Sequence, residues 1–206
     1  MTTQKFKLPY VLLMAFFMLS LAQCSKDNQD TPCPNTTCNN GGTVTANCEC
    51  ECPCWYSGST CDNEKTPTRI DIDKIVITKF PPTNGGAPWD PPGPNTWADL
   101  VVIVYKECSP GPWCDIFTSS EKVNCDPGQS HTFQLPATSL SKPLEKYRVS
   151  LYDDDLGGIT LFIGGVTFTP YKVGEKFPNP IKVSSGSVDF ELYVKYYFDP
   201  GCVKTQ

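Results

Sequence analysis

The chain has 206 residues, with 17 basic and 22 acidic side chains and a formal net charge of −5. An acidic protein repels phosphate groups, so no nucleic-acid partner held by a basic surface is expected. The 12 cysteines favour an oxidising compartment, in which they can pair.

The first 23 residues have the composition of an export signal. Lys5 and Lys7 form a short basic head, and an almost wholly apolar run follows over residues 8–22. That run is shorter than the roughly 20 residues of a membrane-spanning helix. The segment from Leu21 to Cys24 resembles the lipobox at which bacterial lipoproteins are cut and acylated, although Gln23 replaces the usual small residue.

The lipobox resemblance implies a signal peptide over residues 1–23, lipidation of Cys24 and a polar tether over residues 24–32. The expected partner is then a membrane, reached through the acyl chains. The expected location is the outer membrane, with the folded part exposed at the cell surface. Ordinary secretion with Cys24 as a spare thiol, or an uncleaved anchor, are the alternatives.

Residues 33–61 are predicted to form a small disulfide module. This stretch is too short to bury an apolar core of its own, so covalent cross-links must replace one. A dense turn signal, Asn-Asn-Gly-Gly-Thr, occupies residues 39–43. The cysteines of the stretch are Cys33, Cys38, Cys48, Cys50, Cys52, Cys54 and Cys61.

The cysteine spacing, the Asn-Gly-Gly-Thr step and the closing Tyr-x-Gly-x-x-Cys over residues 56–61 resemble an EGF-like module. Val44 and Trp55 depart from the family pattern, and Cys54 has no counterpart in it. The cysteines alone leave many pairings open, and metal binding by the run from Cys48 to Cys54 is the alternative to a structural role. The resemblance implies the pairs Cys33–Cys48, Cys38–Cys50 and Cys52–Cys61.

After a polar linker at residues 62–68, residues 69–206 are predicted to form an antiparallel eight-stranded β-sandwich. Apolar and polar residues alternate from residue 188 to 198, which is the pattern of a strand with one buried face. No stretch has apolar residues at helical spacing, so the predicted class of the protein is all-β. The predicted strands are Lys74–Phe80, Ala98–Lys106, Asp115–Ser119, His131–Leu135, Tyr147–Tyr152, Gly164–Thr169, Pro180–Val183 and Val188–Phe198.

The acidic stretch at residues 153–155 carries the most specific motif of the sandwich. It is followed by Phe-Ile-Gly at residues 162–164, and this arrangement resembles the third loop of C2-type calcium- and lipid-binding sandwiches. Leu161 replaces the third aspartate of that family. The resemblance implies a C2-like fold and a calcium site made by Asp90, Asn95, Asp153 and Asp155. A solvated turn is the alternative, because aspartates also favour turns.

The remaining cysteines, Cys108, Cys114, Cys125 and Cys202, are predicted to cross-link the sandwich. A bond from Cys202 to one of the others would hold the C-terminal segment. An odd number of cysteines follows Cys24, so one thiol is left over. Cys54 is the expected one, and it would be free, intermolecular or bridged to the sandwich.

The sequence does not predict catalysis. The single histidine, His131, begins a strand without a nucleophile elbow, and adjacent carboxylates on one turn cannot flank a glycosidic bond. We expect a binding or adhesion module with a protein or glycan ligand, which the loop residues Trp89, Trp97 and Trp113 could contact. A structural subunit of an outer-membrane assembly is the first alternative, and a carbohydrate-active enzyme is the second.

Overall fold

The computed structural model describes residues 33, 35–90, 93, 96–108, 111–155, 159–199 and 201–205. Cys24, the predicted signal peptide, the tether and Asn95 lie outside the described residues. None of the described segments forms a helix of the length and hydropathy needed to cross a membrane. The strands are β1 (Thr43–Val44), β2 (Cys50–Glu51), β3 (Tyr56–Ser57), β4 (Asn63–Glu64), β5 (Arg69–Lys79), β6 (Leu100–Cys108), β7 (Gly111–Thr118), β8 (His131–Leu140), β9 (Tyr147–Asp155), β10 (Ile159–Phe168), β11 (Ile181–Ser184), β12 (Asp189–Phe198) and β13 (Cys202–Lys204).

The disulfide module consists of two short antiparallel ladders, β1 with β2 and β3 with β4. Because β4 lies in the segment predicted as a linker, the module continues at least to Glu64. Cys54 is bridged as well, so the cysteine run holds no free thiolate for a metal ion. The module's internal disulfides, with Cα–Cα distances of 5.4, 5.6 and 5.4 Å, are the pairs that the EGF-like pattern implies: Cys33–Cys48, Cys38–Cys50 and Cys52–Cys61.

Two antiparallel sheets form the sandwich. One has the strand order β10-β9-β6-β7, and the other has the order β11-β12-β5-β8, with β13 also paired to β12. Each of the eight predicted strands corresponds to one of β5 to β12, which confirms the all-β class, and β13 is an addition. Side chains of both sheets belong to one buried cluster. In β12 every second residue from Phe190 to Phe198 is buried, as the alternation in the sequence predicts.

The strand registers define two ends of the sandwich. At one end, named the module end because the disulfide module lies there, the start of β5 pairs with the end of β12, and the start of β9 pairs with the end of β10. At the loop end, the end of β5 meets the start of β12, and the end of β9 meets the start of β10. The N–H of Thr68 donates to the carbonyl of Tyr197 at 2.8 Å, which places the disulfide module at the module end. At the usual rise per residue, β9 spans about 26 Å between the ends.

Phe177 is the centre of the contact between the disulfide module and the sandwich. Lys176 and Phe177 have φ angles of 56° and 55°, in the left-handed region that is unfavourable for such residues. The hydroxyl of Tyr171, whose ring stacks on Phe177, donates to Oε1 of Glu64 in the module at 2.7 Å. The ring of Phe177 meets four others at centroid distances from 5.3 to 6.1 Å, those of Tyr56, Tyr171, Tyr196 and Phe198.

The predicted disulfide pairing is wrong for Cys125, and the predicted bond from Cys202 to another cysteine of the sandwich is wrong as well. Cys202 is bonded to Cys54 of the module, with Cα atoms 6.2 Å apart, while Cys125 is a buried free thiol. The physical reason is distance, because Cys125 lies at the loop end beside the start of β6 and Cys202 lies at the module end. The disulfide that does form within the sandwich, Cys108–Cys114, closes the hairpin of β6 and β7.

Candidate cation site

Three aspartates from two separate segments meet at the loop end. Asp90 lies in the connection between β5 and β6, and Asp153 and Asp155 lie at the end of β9. Side chains alternate along a strand, so these two residues of β9 share one face. One carboxylate oxygen of each aspartate lies within 4.8 Å of an oxygen of the other two. The structure therefore brings together three of the four residues that the C2 resemblance implies.

The backbone around Asp153 positions its carboxylate. In the ladders, Asp153 lies opposite Leu100 of β6 and Leu161 of β10. Its Oδ1 atom accepts a hydrogen bond from the N–H of Asp99 at 2.7 Å. Because Leu161 occupies the position of the third aspartate in the C2 pattern, β10 contributes an apolar side chain and no ligand at that point.

The Phe-Ile-Gly step shapes the strand beside the site. A β-bulge between Phe162 and Gly164 shifts the register of β10. A Cβ atom at Gly164 would lie 2.9 Å from a methyl carbon of Val188, so glycine is required for this close approach to the other sheet. Phe162 remains on the outer face and is 51% exposed. The motif is thus explained by packing and supplies no ligand.

Asp153 is fully buried, yet one of its oxygens lacks a hydrogen-bond partner among the described residues. The Oδ2 atom makes no hydrogen bond with any described residue. The buried carboxylate of Asp71, by contrast, accepts a hydrogen bond from Ser139 at 2.6 Å and is paired with Arg69 at 2.9 Å. An uncompensated buried charge is strongly unfavourable. A cation at Oδ2 would neutralise the charge of Asp153, as Arg69 neutralises the charge of Asp71.

The pKa values of two of the aspartates reflect this crowding. The pKa of Asp153 is raised to about 6, first by burial and then by the negative charges of Asp155, Asp90 and Asp99. Burial also raises the pKa of Asp90, as do the negative charge of Asp99 and the neighbouring carboxyl group of Asp155. Protonation relieves the repulsion at low pH, and a bound cation would relieve it at neutral pH.

Further acidic residues surround the three aspartates, and sequence reasoning missed two of them. The N–H of Asn124 donates to Oδ1 of Asp99 at 2.5 Å, and Asp154 accepts from Thr160 at 3.3 Å. Burial, Asp99 and Asp154 together raise the pKa of Glu121. None of the ion pairs formed by described residues includes one of these carboxylates. No local motif marks Asp99 or Glu121, because only the strand register brings them here.

The oxygens at this site fit calcium. Calcium takes about six to eight oxygen ligands and prefers carboxylates, carbonyls and water. Asp153 offers Oδ2, and Asp90 and Asp155 offer two oxygens each, which leaves positions for backbone carbonyls, water or a ligand. The cluster contains no imidazole or thiolate, the donors that zinc sites usually include.

The predicted loop tryptophans differ in their surroundings. Trp89 is buried and donates its indole N–H to the carbonyl of Pro81 at 2.9 Å, and Trp113 is half-buried in β7. Trp97, two residues before Asp99, is 41% exposed. Val123, beside Asn124, is 67% exposed and was not predicted. Trp97 and Val123 are therefore exposed apolar residues that are close in sequence to Asp99 and Asn124.

The single histidine has a structural environment. An oxygen of the Asp126 backbone lies 2.7 Å from Nε2 of His131, and the imidazole meets the ring of Phe80 edge-on with centroids 5.8 Å apart. These contacts fix the start of β8 against the segment that follows β5.

No family model and no curated protein matches the chain. Among solved structures it is similar to BON1-C2B, with 14% identity, a TM-score of 0.38, and coverage of 61% of this chain and 87% of the other. It is also similar to a C2 domain of plant Extended Synaptotagmin 1, with 12% identity, a TM-score of 0.32, and coverage of 65% of this chain and 97% of the other. Because both TM-scores are below 0.5, the fold and the site rest on this chain's own residues.

Proposed function

We propose that this chain is an exported, lipid-anchored binding module that uses a calcium ion at its contact surface, held by Asp90, Asp153 and Asp155. The observation that carries the proposal is the Oδ2 atom of buried Asp153, which has no hydrogen-bond partner in the described part of the chain and lies beside two further carboxylates. A buried charge of this kind is stabilised by a cation, and oxygen donors favour calcium.

The predicted architecture gives this site its setting. The three disulfides of the module support an EGF-like unit, and the disulfides of the whole described chain support an oxidising compartment. The basic head, the apolar run and the lipobox-like segment support export and acylation at Cys24, hence an outer-membrane lipoprotein. Catalysis has no part in this proposal.

The surroundings of the cluster favour a protein or glycan ligand. Trp97 and Val123, which are exposed and close in sequence to Asp99 and Asn124, offer apolar contact area at the loop end. A calcium ion held by Asp90, Asp153 and Asp155 has coordination positions left for oxygens of a ligand. The ion would thus connect an acidic protein surface to an acidic or hydroxyl-bearing partner that the surface alone would repel or bind weakly.

A calcium titration of the purified chain tests the site. The ion binds the folded state, so the melting temperature should rise, and at ten times the Kd the stabilisation is about 1.4 kcal/mol. Asp153→Asn and Asp155→Asn should each abolish the rise. The matched control is Asp73→Asn, which removes an aspartate paired with Lys195 outside the site and should retain the rise.

Terbium provides a direct readout of the same site. Trp89 directly precedes Asp90, so its excitation should sensitise the luminescence of bound terbium, and calcium should compete. If the wild type shows no calcium-dependent change in melting temperature and no terbium luminescence, the proposed calcium site is contradicted. A structural role for the chain would then remain.

A further inference from the structure

Separate contacts join the disulfide module to the sandwich. The Cys54–Cys202 disulfide links them covalently. Lys204 of β13 lies over the indole ring of Trp55 in the module, with Nζ 4.5 Å from the centroid. The ring cluster around Phe177 adds apolar contacts from both parts, and the Tyr171–Glu64 hydrogen bond adds a polar one. Linked domains move relative to each other by default unless their interface is substantial, and this interface is covalent, aromatic and polar at once.

The connection between the two parts is also held in place. Only residues 65–68 separate β4 from β5. The N–H of Lys65 donates to the carbonyl of Trp55 at 3.0 Å, and the N–H of Thr68 donates to the carbonyl of Tyr197 at 2.8 Å. Pro67, between them, is buried. Thr66 is exposed, so the hydrogen bonds at both ends and buried Pro67 are what hold this four-residue connection in place.

The candidate cation site lies at the opposite end of the sandwich from this junction. Asp153 and Asp155 end β9 at the loop end, whereas the first residue of β9 is at the module end. The six to eight residue steps of β9 place about 20–26 Å between its first residue and these two aspartates.

From these contacts we infer that the disulfide module is a rigid spacer. It holds the cation site at the end of the molecule farthest from the N-terminal attachment. The site therefore meets a ligand that is not part of the membrane carrying the chain, such as a protein or glycan on a facing surface. The nature of the ligand and the anchor rest on the proposed function, while the rigidity and the spacing rest on the contacts alone.

Distance measurements on the full chain test the inference without calcium and without acylation. Genetically encoded nitroxide side chains at Val44 of the module and Val123 of the loop end, both exposed, avoid the use of cysteines. Pulsed dipolar spectroscopy should give one narrow distance distribution with a mean of at least about 26 Å. A broad distribution, or a shorter mean, overturns the inference.

Variants identify the contacts that hold the junction. Replacing Cys54 and Cys202 by Ser together with Phe177→Ala should broaden the distance distribution. If this triple variant does not fold, the variant with only the two Ser substitutions is measured instead, and its distribution should also broaden. The matched control replaces Cys108 and Cys114 by Ser, which removes a disulfide within one hairpin and should leave the distribution narrow. An unchanged distribution in the triple variant contradicts the assignment of these contacts.

The orientation of the cation site relative to a membrane can be measured on vesicles. The chain is tethered by its N-terminus to vesicles that carry a fluorescence quencher on their headgroups, and a fluorophore is placed at Val44 or at Val123. The label at Val44 should lose much more intensity than the label at Val123. Equal quenching overturns the inference, whereas a failure of calcium binding would affect only the proposed function, since neither measurement involves calcium.

Discussion

Asp71 and Asp153 are both buried aspartates in central strands, and they differ in what neutralises them. Arg69 and Ser139 satisfy Asp71 from within the chain. Asp153 has the N–H of Asp99 on one oxygen and no described partner on the other, with further carboxylates nearby. The free energy of burying Asp153 in its charged form is therefore left for a cation or a proton to offset.

At the residue scale, this predicts the pH dependence of the metal-free protein. The pKa of Asp153 in the folded state, about 6, is above its ordinary value of 3.8. Between these values the folded state binds more protons than the unfolded state, so the contribution of Asp153 to stability is present below the ordinary pKa and is lost as pH rises through 6. Urea denaturation in a chelator from pH 4 to 8 should show this loss.

The variant Asp153→Asn isolates the effect in the same experiment. The asparagine keeps an oxygen for the N–H of Asp99 and removes the ionisable group. Its stability should depend less on pH than that of the wild type, and the two should differ most at neutral pH, where the variant is the more stable. Parallel pH profiles for both proteins would show that Asp153 is not the titrating group.

At the scale of elements, one side chain completes the five-stranded sheet. β11 and β13 pair with the same edge of β12 and leave a gap at Val194. Asn179 fills it, because its amide Nδ2 donates to the carbonyl of Val194 at 2.9 Å and its Oδ1 accepts from the N–H of Val194 at 3.0 Å. The side chain thus takes the place of a strand partner at that position.

The variant Asn179→Leu should destabilise the protein by about 2 kcal/mol or more, because it leaves both backbone groups of buried Val194 unpaired. Asn179→Asp, which keeps an acceptor for the N–H, should have a smaller effect. Denaturant unfolding measures both. A leucine variant as stable as the wild type would mean that water replaces the amide at this edge.

The sequence predicted the strands well where alternation is regular and less well where it is interrupted. β5 was predicted to begin at Lys74, but it begins at Arg69, because a bulge between Ile72 and Lys74 shifts the alternation. β13 has only three residues and no pattern to reveal it. At the site, the motif revealed Asp153 and Asp155, but only the tertiary structure reveals Asp99.

At the scale of the whole molecule, the disulfides differ in the length of chain that they close. The cysteines of the Cys54–Cys202 bond are 148 positions apart, and those of the Cys108–Cys114 bond are 6 apart. A disulfide restricts the unfolded chain more when the loop that it closes is longer. Replacing the first pair by Ser should therefore lower the free energy of unfolding by about 5 kcal/mol, and replacing the second pair should lower it by about 2 kcal/mol. Equal costs in denaturant unfolding would contradict this account.

The Cys54–Cys202 bond also imposes an order on the making of the protein. Cys54 leaves the ribosome 148 residues before its partner, while the neighbouring Cys52 finds Cys61 only 9 residues later. Cys54 therefore has no access to its disulfide partner until nearly all of the described chain exists. A chain interrupted before Cys202 leaves Cys54 without that partner. An unpaired Cys54 in such a chain is open to thiol–disulfide exchange, and the bond to Cys202 removes that thiol.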